Sequence, residues 1–316
     1  MSGQATIVDG GAAQAALAAQ AGDNSWRDWL ALLKPRVVSL VVFTGAMGLL
    51  IAPGHINPVL GFTAVLCIAV AAGAAGCLNM WWEADIDAKM RRTARRPIPA
   101  GKIAPDDALS FGIALSVASV MVMGLALNMC AAVVLAISIF FYVVIYTIWL
   151  KRITPQNIVI GGAAGAFPPI IGWAAVTGDI SLMPVLMFAL VFFWTPPHFW
   201  SLALYACEDY GRAGVPMLPV VAGPRETRRQ IFLYSLLMSA VAVAPWALRY
   251  TGAVYGVTAT VFSAVFVGLA LTVLREKQDG RGKSLAGDRA ARRTFRFSLL
   301  YLAVLFLALG IDRLVR

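Results

Sequence analysis

Nine apolar runs, each about long enough to cross a bilayer as a helix, dictate most of what this chain can become. They fall at 37–53, 59–80, 108–128, 131–150, 158–176, 184–206, 231–248, 254–274 and 297–312. A helix needs roughly 20 apolar residues to cover about 30 Å of hydrocarbon. Inside lipid every backbone polar group must find an internal partner, so runs of this kind form helices. Apolar residues make up 60% of the chain and charged residues 13%, against about 45–50% and 25% in soluble proteins. A pair of soluble domains is thereby excluded. The expected fold is an all-α integral membrane protein of nine transmembrane helices.

Charge orients these helices. With the N-terminus cytoplasmic, 23 of the 26 Lys and Arg residues fall on the inner side, and only Arg249, Arg313 and Arg316 fall outside. That is the asymmetry of the positive-inside rule, and it requires an odd number of spans. The net charge of +10 therefore reflects topology and calls for no nucleic-acid partner. The same clusters can hold membrane lipid headgroups or an anionic substrate. Residues 1–24 are rich in Ala, Gln and Gly and contain no Lys or Arg. They are expected to be a disordered tail ahead of one membrane domain over 25–316. They lack the features of a secretory signal or a mitochondrial transit peptide, which points to a bacterial protein. "SWRDWLALLKP", from Ser25, predicts a short helix at the membrane surface. Cys67, Cys77, Cys130 and Cys207 are scattered through apolar stretches, as packing residues are.

The carboxylates gather where electrostatics disfavours them. Glu83, Asp85 and Asp87 follow the second run, and Glu208 and Asp209 follow the sixth. Both sites are inner, C-terminal helix ends, where the dipole is already negative, so a cation must compensate. Asn79, Glu83 and Asp87 are four residues apart and line one face if the helix persists. Tyr205 and Asp209 repeat the offset. Asp87 precedes Pro97 and Gly101 by the same intervals that separate Asp209 from Pro219 and Gly223. The spacing describes an internal repeat, with spans one to four resembling five to eight. Carboxylate and amide oxygens suit Mg²⁺, which bridges to phosphate. Arg91, Arg92, Arg95 and Arg96 follow the first cluster, and guanidinium grips phosphate in bidentate fashion. The pattern points to a diphosphate held by Mg²⁺ beside hydrocarbon, hence a lipid-linked substrate. A transporter is the rival class, but its acids belong near the midplane rather than at span ends.

"NMWWEADIDAKMRRTARRPIPAG" resembles the first signature of the UbiA-type intramembrane prenyltransferases, Asn-x-x-x-Asp-x-x-x-Asp followed by Arg-Thr-x-x-Arg-Pro. The Asp85–Asp87 core, "YTIWLKRITPQNIVIGGAAGAFPPIIGW" and "PPHFWSLALYACEDYGRAGVPMLP" are similar to the heme-modifying branch of that family. The resemblance runs from about Lys34 to the last span. It implies a nine-helix bundle around a central cavity in the bacterial inner membrane, with the active site on the cytoplasmic side. It also implies transfer of farnesyl from farnesyl diphosphate to a vinyl group of heme B, with addition of water. A heme A-forming enzyme or a terminal oxidase is the implied downstream partner. The runner-up acceptor is an aromatic quinone precursor.

Carried over by position, Asn79, Glu83, Asp87 and Asp209 are the metal-diphosphate residues. Arg92, Arg96, Lys151 and Arg152 are diphosphate contacts, and His198 is a candidate for approaching the heme. Trp81, Trp82, Phe193, Trp194, Phe199 and Trp200 are candidates for shielding an allylic cation. Two positions depart from the family pattern. Glu83 stands where Asp is usual, and Ala213 stands where the wider superfamily has a second-motif Asp.

Overall fold

The computed structural model describes residues 25–280 and 282–315, so the tail 1–24 lies outside the described residues. The described residues are mainly helical. A lone bridge between Gln278 and Ser284 is the one extended pairing among the described residues. In chain order the helices are α1 (Trp26–Leu32), α2 (Pro35–Ile51), α3 (Pro58–Trp82), α4 (Ala84–Lys89), α5 (Pro105–Ala126) and α6 (Met129–Phe140). The last of these continues as a π-helical segment, Phe141–Trp149, and a tight turn, Leu150–Arg152. Then come α7 (Asn157–Thr177), α8 (Leu182–Tyr205), α9 (Cys207–Arg212), α10 (Leu218–Val221), α11 (Gly223–Ala247), α12 (Ala253–Leu274) and α13 (Arg289–Val315).

Local sequence explains most of the helix ends. Pro35, Pro58 and Pro105 open α2, α3 and α5, where a missing N–H costs nothing. Asn57 caps α3 and Asn128 caps α6 by accepting from the backbone N–H of Val59 and Ala131. Gly178 closes α7 in the left-handed conformation. Helix α12 is capped from a distance. The buried Asp312, on α13, accepts from the Gly252 and Tyr255 N–H groups at 2.5 and 3.2 Å. Asp312→Ala is expected to lower stability by about 1–2 kcal/mol, read as a lower melting temperature in detergent.

Among the described residues eight helices, counting α6 with its continuation to Arg152 as one, are long and apolar enough to cross a membrane. The expected ninth span is completed only if α1 and α2, bent by 54° at their joint, count as one. The bend sits at Lys34, whose backbone is left-handed (φ 49°). Helices α7 and α8 are the inner ones. Two-thirds of the apolar window of α7 is buried, against about a fifth in α5 and α6, whose apolar side chains face outward.

Helix α2 crosses α7 backbone to backbone. A Cβ on Gly172 would fall against the carbonyl oxygen of Gly45, and one on Gly48 against that of Pro169. In the "GGAAGA" segment, Gly161 abuts the Tyr146 ring and Gly162 abuts Thr195, while Gly165 faces open space. The tightest approach, at Gly172, is therefore nearly two turns further along than the small-residue run suggests.

The expected repeat is visible in backbone geometry. Helix α3 breaks at Glu83 (φ −101°, ψ 13°) before the six-residue α4, and α8 breaks at Ala206 (φ −107°, ψ 12°) before the six-residue α9. Gly101 and Gly223 then both adopt positive φ, 71° and 83°. A straight helix through Asn79, Glu83 and Asp87 is thus not what forms. Their common face survives nonetheless, because Glu83 N–H still donates to Asn79 O and Asp87 N–H to Glu83 O.

Candidate active site

Asn79, Glu83 and Asp87 are 2–3% exposed. A buried carboxylate needs a cation and hydrogen bonds; Glu83 finds its cation 68 residues away and Asp87 nine. Lys151 Nζ lies 2.5 Å from Glu83 Oε2, and an Arg96 guanidinium nitrogen lies 2.6 Å from Asp87 Oδ2. Asn79 donates to Thr147 Oγ1 (3.1 Å) and accepts from Lys34 Nζ (2.6 Å). Thr147 in turn donates to Tyr142 O, five residues back in the π-helical segment. That chain of bonds turns the amide oxygen of Asn79 toward the basic side chains. The second carboxylate oxygen of Glu83, Oε1, is buried with no hydrogen-bond partner. The Lys151 ammonium also sits 5.7 Å from the Tyr146 ring centroid.

A cavity of about 540 Å³ begins three residues beyond Asp87, at Met90; Asn79, Glu83, Asp87, Arg96 and Lys151 do not themselves line it. Arg91 and Arg92 line it from the segment after α4, Tyr205, Glu208 and Asp209 from the α8–α9 break, and Lys283 from the segment before α13. The two acidic clusters therefore share one end of the bundle. Asp209 pairs with Arg212, and Glu208 pairs with Lys283 at 3.0 Å. The hydrogen bond from Lys283 holds the Glu208 carboxyl below its ordinary range. Arg91 and Arg92 form no ion pair among the described residues, so their charge is available to a bound anion.

The remaining expected site residues are placed as follows. Arg152 forks onto Asp85 at 2.7 and 3.1 Å on the exposed surface. Arg95 is exposed and lies outside the cavity lining. His198 is buried between Trp194 and Phe295, at ring separations of 4.3 and 4.6 Å, with Nδ1 2.6 Å from Ser298 Oγ. Neither His198 nor any of the six aromatic candidates lines the cavity. Trp200 packs in the core against Tyr234, and Trp194 donates to Ser298 O.

Sequence reasoning missed Lys34, Tyr142, Tyr146 and Thr147. All four lie in or beside the apolar runs, where only their polarity set them apart. Lys34 carried the clearest signal, one of two cations, with Arg36, immediately before the first apolar run.

Mg²⁺ was expected here, and the residues fit it in part. Asn79, Glu83, Asp87 and Asp209 offer hard oxygen donors, and Glu83 Oε1 is an orphaned acceptor in a buried site. Among the described residues no three His, Cys, Asp or Glu side chains converge into a self-contained metal cage. That suits an ion held jointly by the protein and a substrate's phosphate oxygens.

A bundle of membrane-crossing helices with acid-and-arginine clusters at one end is the architecture of intramembrane prenyl transfer. The chain belongs to the UbiA prenyltransferase family, which it matches over residues 41–300. Within that family it is similar to the protoheme IX farnesyltransferase of Granulibacter bethesdensis, 66% identical over 93% of both chains. It is also similar to that of Gluconacetobacter diazotrophicus, 62% identical over 99% of this chain and 98% of the other. The fold matches a solved structure from work on digeranylgeranylglyceryl phosphate synthase (TM-score 0.75, 17% identity, 92% and 99% covered). It also matches a UbiA homolog from Archaeoglobus fulgidus bound to GPP and Mg²⁺ (TM-score 0.59, 16% identity, 89% and 99% covered).

Proposed function

We propose that the chain transfers the farnesyl group of farnesyl diphosphate to a vinyl group of heme B, with addition of water, giving heme O and diphosphate. The observation that carries the chemistry is the buried acid cluster, with a cavity lined by Arg91 and Arg92 beginning three residues beyond it. Near-full-length similarity to protoheme IX farnesyltransferases supports the acceptor. The A. fulgidus homolog with its GPP and Mg²⁺ supports the donor and metal classes. The charge asymmetry supports nine spans, a cytoplasmic N-terminus and a site facing the cytoplasm of a bacterial inner membrane. On this reading the product passes to a heme A-forming enzyme or a terminal oxidase.

In the reaction the allylic C–O bond breaks and its electron pair leaves with the diphosphate. The vinyl π electrons attack the farnesyl carbon, and water adds to the resulting heme-side cation with loss of a proton. Arg91 and Arg92 present guanidinium groups to the departing diphosphate, where charge grows. Asn79, Glu83, Asp87 and Asp209 would hold Mg²⁺, which supplies Lewis-acid stabilisation of the same charge when bound. Lys151 and Arg96 pair with the buried Glu83 and Asp87 and hold their carboxylates in position, and Lys34 and Thr147 fix the Asn79 amide. The farnesyl tail prefers the bilayer by roughly 10 kcal/mol, at about 0.8 kcal/mol per buried CH₂. Entry from the membrane follows.

The test is incubation of the purified protein with heme B, farnesyl diphosphate and Mg²⁺, with products read by mass spectrometry. Heme O is expected, and EDTA is expected to abolish it. Prenylation of an aromatic quinone precursor with heme B untouched would transfer the assignment to that acceptor.

A further inference from the structure

The segment between α12 and α13 is a built wall of the cavity rather than a plain connector. Arg228, 1% exposed, donates to Gly282 O and to Asp288 Oδ1, both at 2.8 Å. Asp279 N–H donates to Lys283 O, and Lys283 N–H donates back to Asp279 Oδ1. Ser284 Oγ accepts from the Ala286 and Asp288 N–H groups. These bonds fix the backbone that carries Lys283, whose ammonium reaches over the cavity to Glu208. That ion pair is open to water, with side chains 71% and 84% exposed. Exposed pairs contribute little, so Lys283 exchanges Glu208 for another carboxylate at little cost.

A second cation lies beside it. The Arg292 guanidinium, in the first turn of α13, sits 4.2 Å from the centroid of the Tyr205 ring, and Tyr205 lines the cavity. Arg292 forms no ion pair among the described residues. Stacking on a ring leaves its in-plane N–H donors open to a carboxylate. Below it an aromatic seam follows the α8–α13 contact. Tyr205 meets Phe295 at 6.2 Å, and Phe295 covers one face of His198. One cation on the cavity lining and a second stacked on a lining ring match a flat aromatic molecule bearing carboxylates along one edge. They stand on different elements from Arg91 and Arg92, which are committed to the diphosphate.

We propose that Lys283 and Arg292 bind the two propionate carboxylates of the acceptor porphyrin, so that its vinyl-bearing edge is turned away from them and toward the acid cluster. This rests on heme B being the acceptor. It assigns Lys283 and Arg292 as acceptor-binding residues, distinct from those that bind the diphosphate.

The experiment compares heme B with its propionate dimethyl ester as acceptor, in the wild type and in Lys283→Gln, Arg292→Gln and Arg292→Lys. Each Gln variant is expected to raise the KM for heme B by about tenfold, the scale of one charge-assisted hydrogen bond. The kcat and the KM for farnesyl diphosphate are expected to stay within about twofold. Arg292→Lys is expected to recover part of the affinity, because it keeps the charge but loses the stacked planar donors, and the ester is expected to erase the difference between wild type and variants. The proposal is overturned if the wild type takes the ester as well as the free acid, a result that needs no variant to fold. It is also overturned if the variants lose equally on both acceptors, or if the KM for farnesyl diphosphate moves instead. A wild type that prenylates only an aromatic quinone precursor overturns the acceptor assignment itself, and this proposal with it.

Discussion

Asp87→Asn is expected to cut farnesyl transfer by about 10²–10³-fold while leaving the protein folded. The substitution keeps the shape of the side chain and removes one charge from a site where it is 2% exposed and paired with Arg96 at 2.6 Å. Two losses combine on the proposed reading. The metal loses an anionic ligand, and Arg96 loses the partner that holds it in place. Removal of one preorganised electrostatic group from a dry site costs about 10²–10³ in kcat. The check is initial rate against Mg²⁺ concentration, alongside a melting curve. A melting temperature within a few degrees of wild type, with activity lost, locates the effect in the chemistry. Full activity in Asp87→Asn would remove Asp87 from the metal-diphosphate set.

Gly172→Leu is expected to do the opposite, destroying the fold rather than the reaction. Even the first carbon of a side chain at this position meets the Gly45 carbonyl and the Leu49 nitrogen of α2, atoms of a helical backbone that cannot rotate aside. Overpacking usually costs about 1–3 kcal/mol, and contact with backbone belongs at or above the upper end. The expected outcome is loss of monodisperse protein after detergent extraction, read by size-exclusion chromatography and thermal melting. Gly165→Leu is the matched control, because no atom lies within 4 Å of a Cβ there. Equal behaviour of the two variants would show that the α2–α7 crossing does not govern stability. The same crossing sets the position of Lys34, at the start of α2, against Asn79 on α3.

Much of the architecture is legible along the chain because helix formation in lipid is decided locally. The apolar runs match the helices closely, and the Pro and Asn residues at their starts act where the pattern places them. The paired spacings that end in Gly101 and Gly223 also emerge, as two glycines of positive φ. Less legible was the state of the first span. The short helix expected from Ser25 does form, as α1, but the run gives no sign that Lys34 turns the chain through 54° between α1 and α2.

The site divides in the same way. Asn79, Glu83, Asp87 and Asp209 were readable because carboxylates at the C-terminal ends of apolar helices are costly and call for an explanation. His198 had no such distinguishing context. Whether a histidine within a span meets the cavity or a pair of aromatic rings depends on the rotation of α8 against α13. Here Trp194 and Phe295 enclose it.

By itself, then, the sequence determined the element type, the number of apolar segments, the charge asymmetry and the two places where acid accumulates. Each follows from properties of neighbouring residues, summed over one or two helical turns. Only the tertiary structure decided that Lys151 serves Glu83 across 68 residues, that Lys34 serves Asn79 across 45, that Lys283 lines the cavity and that Arg292 stacks on Tyr205. Those pairings depend on how helices cross and rotate. Crossing is set by side-chain volume at the contact, such as the bare backbone of Gly45, Gly48 and Gly172. A pattern read along one strand of sequence carries no coordinate for its neighbour.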